Sequence, residues 1–395
     1  MKRAIILLLF AFPLVLVAQK PIKPNLNKAL NSWKQGKLSE AKEMIDVCVV
    51  DPKISLDPKA WYYRGLIYAS IDTTSNAAFN SLAPNAFETA MEAFAKCDEL
   101  NKGSKNEMFY TDDTGFPVLR SNSMAVLGSF YMNSGAVAFQ DDAAEKALKQ
   151  FEKTMKVIPN DTTAFFYGGY VAQTMEEYDK AITYLNKYNE LGGKSADSYS
   201  LLLNIYAGPK KDKNKALELV REARKKYPNN ADFPLVEIGY LIDMDKTAEA
   251  KGGLESAVKN DPGNKTLHFY LGYVNSKLEN WDDAKKNFDA ALKIDPMYFD
   301  AQYYLAQVYL IDANKIKTQM DNLGITDADK KRKIELDKQL VDKYKIALPY
   351  WEKAEKLNPS DTDVLDKLSV IYYYLGDEKN EKRVNQRLKE LGIDY

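Results

Sequence analysis

The chain has 395 residues, with 55 Lys and Arg against 56 Asp and Glu for a net charge of −1, one histidine and two cysteines. That balance excludes a basic nucleic-acid footprint and an acidic tail, and so few imidazoles and thiols leave little from which to build a metal centre. The 26 tyrosines are the compositional signal, because each offers a large apolar body with a polar tip.

Lys2 and Arg3 precede an apolar run of 14 residues, Ala4 to Val17, broken by Pro13. The run is shorter than the roughly 20 residues that span a bilayer, so residues 1–18 are expected to be a secretory signal cleaved after Ala18. No cysteine follows the run and no later stretch exceeds ordinary helix length, so direct membrane insertion is not expected after signal removal. The expected location is the periplasm, with association to the outer membrane possible only through a partner.

From there the chain is periodic. Ala147, Ala181, Ala216, Ala250 and Ala284 advance by 34, 35, 34 and 34 residues. Around most of them lies a fixed spacing of alanine, an apolar residue four positions on, a small residue three further and a proline five further, as in Ala250-Leu254-Ala257-Pro262 and Ala284-Phe288-Ala291-Pro296. Small residues at helix crossings let two backbones approach, and proline after the second helix starts the next unit. A fixed period of this length predicts an α-solenoid. Nine units are read, at 24–54, 57–103, 116–160, 161–194, 195–229, 230–263, 264–297, 298–360 and 361–395. The mature chain is grouped as N-terminal units over 19–263 and C-terminal units over 264–395.

Departures from the period are informative. Cys48 and Cys97 both fall in the small-residue slot of the second helix, in successive units. Their layers are about 8–10 Å apart, beyond the Cα separation of about 7 Å that a disulfide tolerates. Both are read as small buried hydrophobes. Residues 71–86 and 102–119 interrupt the second unit and its connector, and are expected to be surface loops. Asp112 and Asp113 fail the ligand spacing of a calcium loop. The eighth unit has an insertion near 312–345. Both its helices are expected to be longer by about fourteen residues, projecting about 20 Å at 1.5 Å per residue. Gly324 stops the first, Thr326 caps the second, and Ile334, Leu336, Leu340 and Val341 seam the two. Pro349 sits awkwardly inside the second.

Trp61-Gly65-Tyr68, Tyr131-Gly135, Phe165-Gly169 and Leu271-Gly272 on first helices, with Ala90-Phe94-Cys97, Ala147-Phe151-Thr154-Pro159 and Ala347-Trp351-Ala354-Pro359 on second helices, resemble the tetratricopeptide repeat. The resemblance covers almost the whole mature chain. It implies an all-α, right-handed α-solenoid of about nine helix–turn–helix repeats, whose first helices line a concave face. It also implies a non-enzymatic scaffold or adaptor that binds an envelope protein or peptide. Positions one and five residues after the aromatic site of the first helix turn away from the second helix. They nominate Tyr62, Leu66, Phe166, Tyr170, Asn204, Phe269, Tyr273, Tyr303 and Gln307 as the partner-binding face. Either these aromatics anchor a partner or they pack on neighbouring first helices. Glycan or small-molecule binding through the same ring faces is the alternative function.

No Gly-rich phosphate loop, Ser-centred elbow or HExxH is present, and His268 reads as a packed structural residue. No catalytic residue, metal or cofactor is expected; a hydrolase using carboxylates distant in sequence is the remaining enzymatic reading.

Overall fold

The computed structural model describes residues 22–393, so the signal segment lies outside the described residues. Among the described residues no helix is long and apolar enough to cross a membrane. The chain divides into two compact units, one ending at Leu201 and the other starting at Leu202. The division falls inside the fifth repeat.

The first unit begins with the hairpin α1 (Leu26–Lys34) and α2 (Leu38–Cys48). Next come α3 (Pro58–Thr73), the single turn α4 (Ala77–Asn80) and α5 (Ala86–Leu100). Strands β1 (Phe109–Thr111) and β2 (Pro117–Leu119) follow. The third hairpin is α6 (Arg120–Gln140) and α7 (Ala144–Val157), and the fourth is α8 (Thr162–Thr174) and α9 (Tyr178–Glu190). The unit boundary lies within α10 (Asp197–Ala207), and α11 (Lys213–Lys226) follows it in the chain. The second unit continues with α12 (Asp232–Asp243) and α13 (Thr247–Asn260), then α14 (Lys265–Lys277) and α15 (Trp281–Ile294). It ends with α16 (Phe299–Asp321) and α17 (Asp327–Leu357), then α18 (Thr362–Leu375) and α19 (Glu378–Glu390). Among the described residues, the helices follow one another in pairs at the positions where the period places repeats.

The same chemistry builds each hairpin. Asp57, Asp161, Asn264 and Asp361 cap first helices through side-chain acceptance of backbone amides, satisfying donors that a helix start leaves orphaned. Where the two helices cross, a glycine faces a large side chain. A Cβ on Gly272 would meet Phe288 at 2.7 Å, and one on Gly135 would meet Phe151 at the same distance. Gly65 against Phe94 and Gly169 against Leu185 repeat the arrangement. In seven hairpins the turn holds one left-handed residue, Gly36, Asp142, Glu176, Lys211, Asp245, Glu279 or Gly376. The two hairpins with insertions, α3/α5 and α16/α17, lack it.

The core of the first unit joins Ala41, Ile45, Cys48, Tyr62, Ile67, Ala90, Phe94, Cys97 and Tyr131. Cys48 and Cys97 are free and fully buried. Burial pushes both thiols up, Cys97 to about 11. In the second unit, Phe269, Ala284, Phe288, Leu305 and Val308 form one cluster. Leu336, Leu340, Trp351, Leu365 and Leu368 form another.

The eighth repeat is long, but unequally so. Helix α16 has 23 residues and α17 has 31, against 13 and 14 in the preceding repeat. Most of the extension is therefore on the second helix. Thr326 caps α17 in a reciprocal capping box with Asp329. Ala313, Ile316, Leu336, Leu340 and Tyr344 form the seam. Ile334, expected there, is 60% exposed, because it lies two positions before Leu336 and so on a different helical face. Pro349 lies on an exposed side of α17, which runs through it.

Residues 102–119 differ from the expected loop. They fold back as an antiparallel ribbon, with Phe109 opposite Leu119, Tyr110 opposite Val118 and Thr111 opposite Pro117. Strands of three residues are too short for alternation to reveal them in sequence.

Candidate functional site

Trp33 closes α1 and is the pivot of the first unit. Its Nε1 donates to Ser70 Oγ of α3 at 2.7 Å, and its ring meets Tyr110 of β1 edge-on at 5.1 Å. Lys34 and Asp113 pair at 3.3 Å. At the other end of the ribbon, Arg120 N donates to Met108 O at 2.7 Å and Glu107 accepts from Ser121 N. The ribbon is thus fastened to α1 and to the start of α6. Asp112 organises its turn. One carboxylate oxygen accepts from Thr114 Oγ1 at 2.7 Å and from the amides of Thr114 and Phe116 at 2.9 Å. The Thr114 hydroxyl and these amides hold its carboxyl below the usual range. Among the described residues no group of His, Cys, Asp or Glu is placed to hold a metal ion.

Beside the ribbon, α3 and α6 enclose a cavity of about 260 Å3. Leu66, Ala69, Ser70 and Thr73 line one wall, Ser123, Val126, Leu127 and Phe130 the other, and Trp33, Tyr110 and Val118 complete it. Two wider recesses adjoin it. One of about 500 Å3 shares Trp33, Ser70 and Tyr110 and adds Lys34, Phe79, Asp112 and Asp113. The other, of about 690 Å3, shares Thr73 and Phe130 and adds Asp72, Asn133, Val137, Lys146, Gln150 and Lys153. The three recesses share lining residues around α3 and α6, one of them reaching α7, and are taken together as a groove.

The groove is apolar at its centre and polar at its ends. Helix α6 carries two apolar stripes. Leu127 and Tyr131 belong to the core, whereas Val126 and Val137 are 72% and 56% exposed and Phe130 is 42% exposed. The polar end at α7 is internally matched. Asp72 Oδ2 accepts from Tyr131 Oη and Lys153 Nζ, each at 2.6 Å. Burial, then the Asp72 carboxylate, drives the Tyr131 phenol far above its ordinary range. This carboxylate contacts a phenol and an ammonium, an arrangement that fixes α3 to α6 and α7. The groove offers apolar recesses with hydroxyl and amide groups between them, which suits an extended chain.

The residues nominated from sequence divide by burial. Tyr62, at 0% exposure, is core. Its hydroxyl bonds Ser123 Oγ at 2.9 Å, and burial pushes the phenol up to about 12. Leu66, 7% exposed, forms part of the cavity wall, and Phe269 is buried among Tyr270, Tyr298 and Tyr304. Tyr62 and Phe269 are corrected from surface anchors to packing residues, because the face counted as solvent-facing is a seam between first helices. Phe166 is half-buried against Tyr167 and Tyr188. Tyr170 is 38% exposed, edge-on to Phe139.

In the second unit, Asn204 is exposed. Tyr273 is half-buried, edge-on to Tyr304 at 5.2 Å and under the Lys277 ammonium at 5.4 Å. Tyr303 donates to Asp363 and accepts from Gln307 Nε2 at 2.6 Å. These rings interlock with one another through Tyr304. Sequence reasoning missed Trp33, Tyr110, Val126 and Phe130. The second apolar stripe on α6, at Val126, Phe130 and Val137, was the available signal, since a helix with one buried face needs only one.

A family model described as tetratricopeptide repeat matches residues 276–315, spanning the end of α14, all of α15 and most of α16. No curated protein matches the chain. Among solved structures, the chain is similar to YrrB, described as a TPR protein with an unusual peptide-binding site. That match has 20% identity, covers 44% of this chain and 90% of YrrB, and has a TM-score of 0.36. It is similar to PilF of Pseudomonas aeruginosa at 17% identity, covering 58% and 91% of the two chains with a TM-score of 0.41. It is also similar to MamA of Desulfovibrio magneticus RS-1, at 14% identity, 59% and 96% coverage and a TM-score of 0.31.

Proposed function

From the premise that this chain is a tetratricopeptide-repeat protein, we propose that it is an exported, non-enzymatic scaffold. It holds an extended segment of a cell-envelope protein in the groove of its first unit. The observation that carries the reading is the open apolar groove on first helices, where Val126 and Phe130 stand exposed beside a cavity of about 260 Å3. Apolar side chains left in water at the mouth of a concave site are what a partner would cover. Stacked hairpins supply the rigid wall on which such a site is held. The basic and apolar opening of the sequence supports export, and the periplasm is the proposed location.

The test is a photocrosslinking residue at Val126 of the full chain, activated in intact cells. The expected result is a discrete adduct with an envelope protein that is lost in a folded Phe130→Asp variant. A folded protein that yields no adduct from Val126 overturns the groove reading. Fractionation that leaves the chain in the cytoplasm overturns the location while leaving the groove to be judged on its own.

A further inference from the structure

We propose that the groove captures its partner by β-strand addition to the outer edge of β1, and that the captured segment is an extended peptide carrying a lysine or arginine. This rests on the groove reading above and specifies how the partner is held.

The ribbon's register fixes which backbone groups are spent. Arg120 N bonds Met108 O and Asp112 N bonds Phe116 O, so the hydrogen-bonded pairs are 108/120, 110/118 and 112/116. In an antiparallel ladder the intervening residues point their N–H and C=O groups outward. Those residues are Phe109 and Thr111 on β1, and Pro117 and Leu119 on β2. The two edges differ. On β2, Pro117 has no N–H, and the Leu119 carbonyl accepts from Ser123 Oγ at 3.3 Å as α6 begins. On β1, no hydrogen bond among the described residues engages the outward groups of Phe109 or Thr111. One edge is closed by proline and a helix start, and the other presents two donors and two acceptors at the spacing an incoming strand matches.

The flank of that edge tells what the strand carries. The recess of about 500 Å3 is lined by Tyr110, Asp112 and Asp113 and by no residue of β2, so it lies on the face of the ribbon to which the Tyr110 side chain points. A side chain next to Tyr110 on an added strand would enter it. Its charged groups are Asp112, Asp113 and Lys34. Lys34 balances Asp113 at 3.3 Å, leaving the recess net negative. The carboxylates, with the Trp33 and Tyr110 rings, match a cationic side chain by charge and by cation–π attraction.

The probe is a short fluorescein-labelled peptide of alternating valine and threonine with a central lysine, read by anisotropy against the full chain. Thr111→Pro deletes an outward N–H without touching the Tyr110–Val118 pair. It should weaken binding at least about tenfold, the equivalent of about 1.4 kcal/mol, whereas Thr111→Val should not. Exchanging the peptide's lysine for glutamate should weaken binding similarly. In the wild-type protein, the amides of Phe109 and Thr111 should gain hydrogen-exchange protection when the peptide is added, a readout that needs no variant. Unchanged affinity for Thr111→Pro with no protection at these amides overturns the proposal. If Phe130→Asp also leaves binding unchanged, the groove reading falls with it. If Phe130→Asp abolishes binding while Thr111→Pro does not, the groove stands and strand pairing falls. A wild-type protein that does not bind the probe at all also overturns strand pairing.

Discussion

Trp33 and Tyr110 meet at right angles, with ring centroids 5.1 Å apart, and through that contact an inserted ribbon is fastened to the first helix of the chain. Tyr110 also lines two of the three recesses of the groove. The ring pair therefore shapes the site as well as holding the ribbon. An edge-to-face pair is worth about 0.5–1.5 kcal/mol beyond its buried area. Tyr110→Ala should accordingly raise hydrogen exchange across 105–119 several-fold while α14 to α19 exchange as before. Unchanged exchange in the ribbon would show that Lys34–Asp113 and the Arg120 end suffice to hold it.

The glycine crossings predict a coupled pair. A Cβ at Gly272 would stand 2.7 Å from Phe288 Cδ1, closer than any real contact, so the ring must shift in a packed cluster. Gly272→Ala should destabilise by about 1–3 kcal/mol. In a Phe288→Leu background the added penalty should be smaller, because the ring atoms are gone. Urea midpoints of the four proteins in the cycle measure the coupling. Additive penalties would mean that the ring yields freely.

Left-handed turn residues predict opposite signs at equivalent positions. Gly376 has φ 71° and Glu279 has φ 58°. A side chain in this region costs about 1–2 kcal/mol. Gly376→Ala should therefore lower the melting temperature. Glu279→Gly should raise it or leave it level, since relief of strain is partly offset by the entropy glycine loses on folding. Differential scanning calorimetry of both variants checks the pair of signs.

Buried phenols set an alkaline limit. Tyr62, Tyr298 and Tyr344 are each pushed up to about 12, with burial the largest cause in every case. A phenol whose folded pKa exceeds its unfolded value near 10 favours the folded state while neutral. That stability is fully present below pH 10 and is lost as the pH rises towards 12. Denaturation midpoints should fall across this window, and Tyr62→Phe should flatten the fall. Difference absorbance should show these tyrosines ionising only above the ordinary phenol range.

The repeat architecture was legible because its physical demands recur at fixed spacing. A glycine must sit where Phe94, Phe151 and Phe288 cross the first helix, and a capping side chain must precede many first helices. Thr326 was legible for the same local reason. The site was not. Tyr62 and Phe269 look outward on an isolated helix, yet each first helix also packs against its neighbour, so a rule counted on one helix misplaces them. Trp33 and Tyr110 are 77 positions apart in the chain, and only the folded ribbon brings them together. Its strands are three residues long, below the length at which a period of two can be recognised.

The two buried thiols have a use independent of function. Cys48 and Cys97 sit in equivalent slots of the first two repeats, at 0% exposure and with raised pKa values. In the folded state they are both shielded and protonated. Modification by an alkylating reagent must then wait for an opening of the repeat that houses each one. The natural chain thus carries two silent clocks, one per repeat. Their rates, separated by peptide mass, would time the breathing of the wall beneath the groove in the unaltered protein.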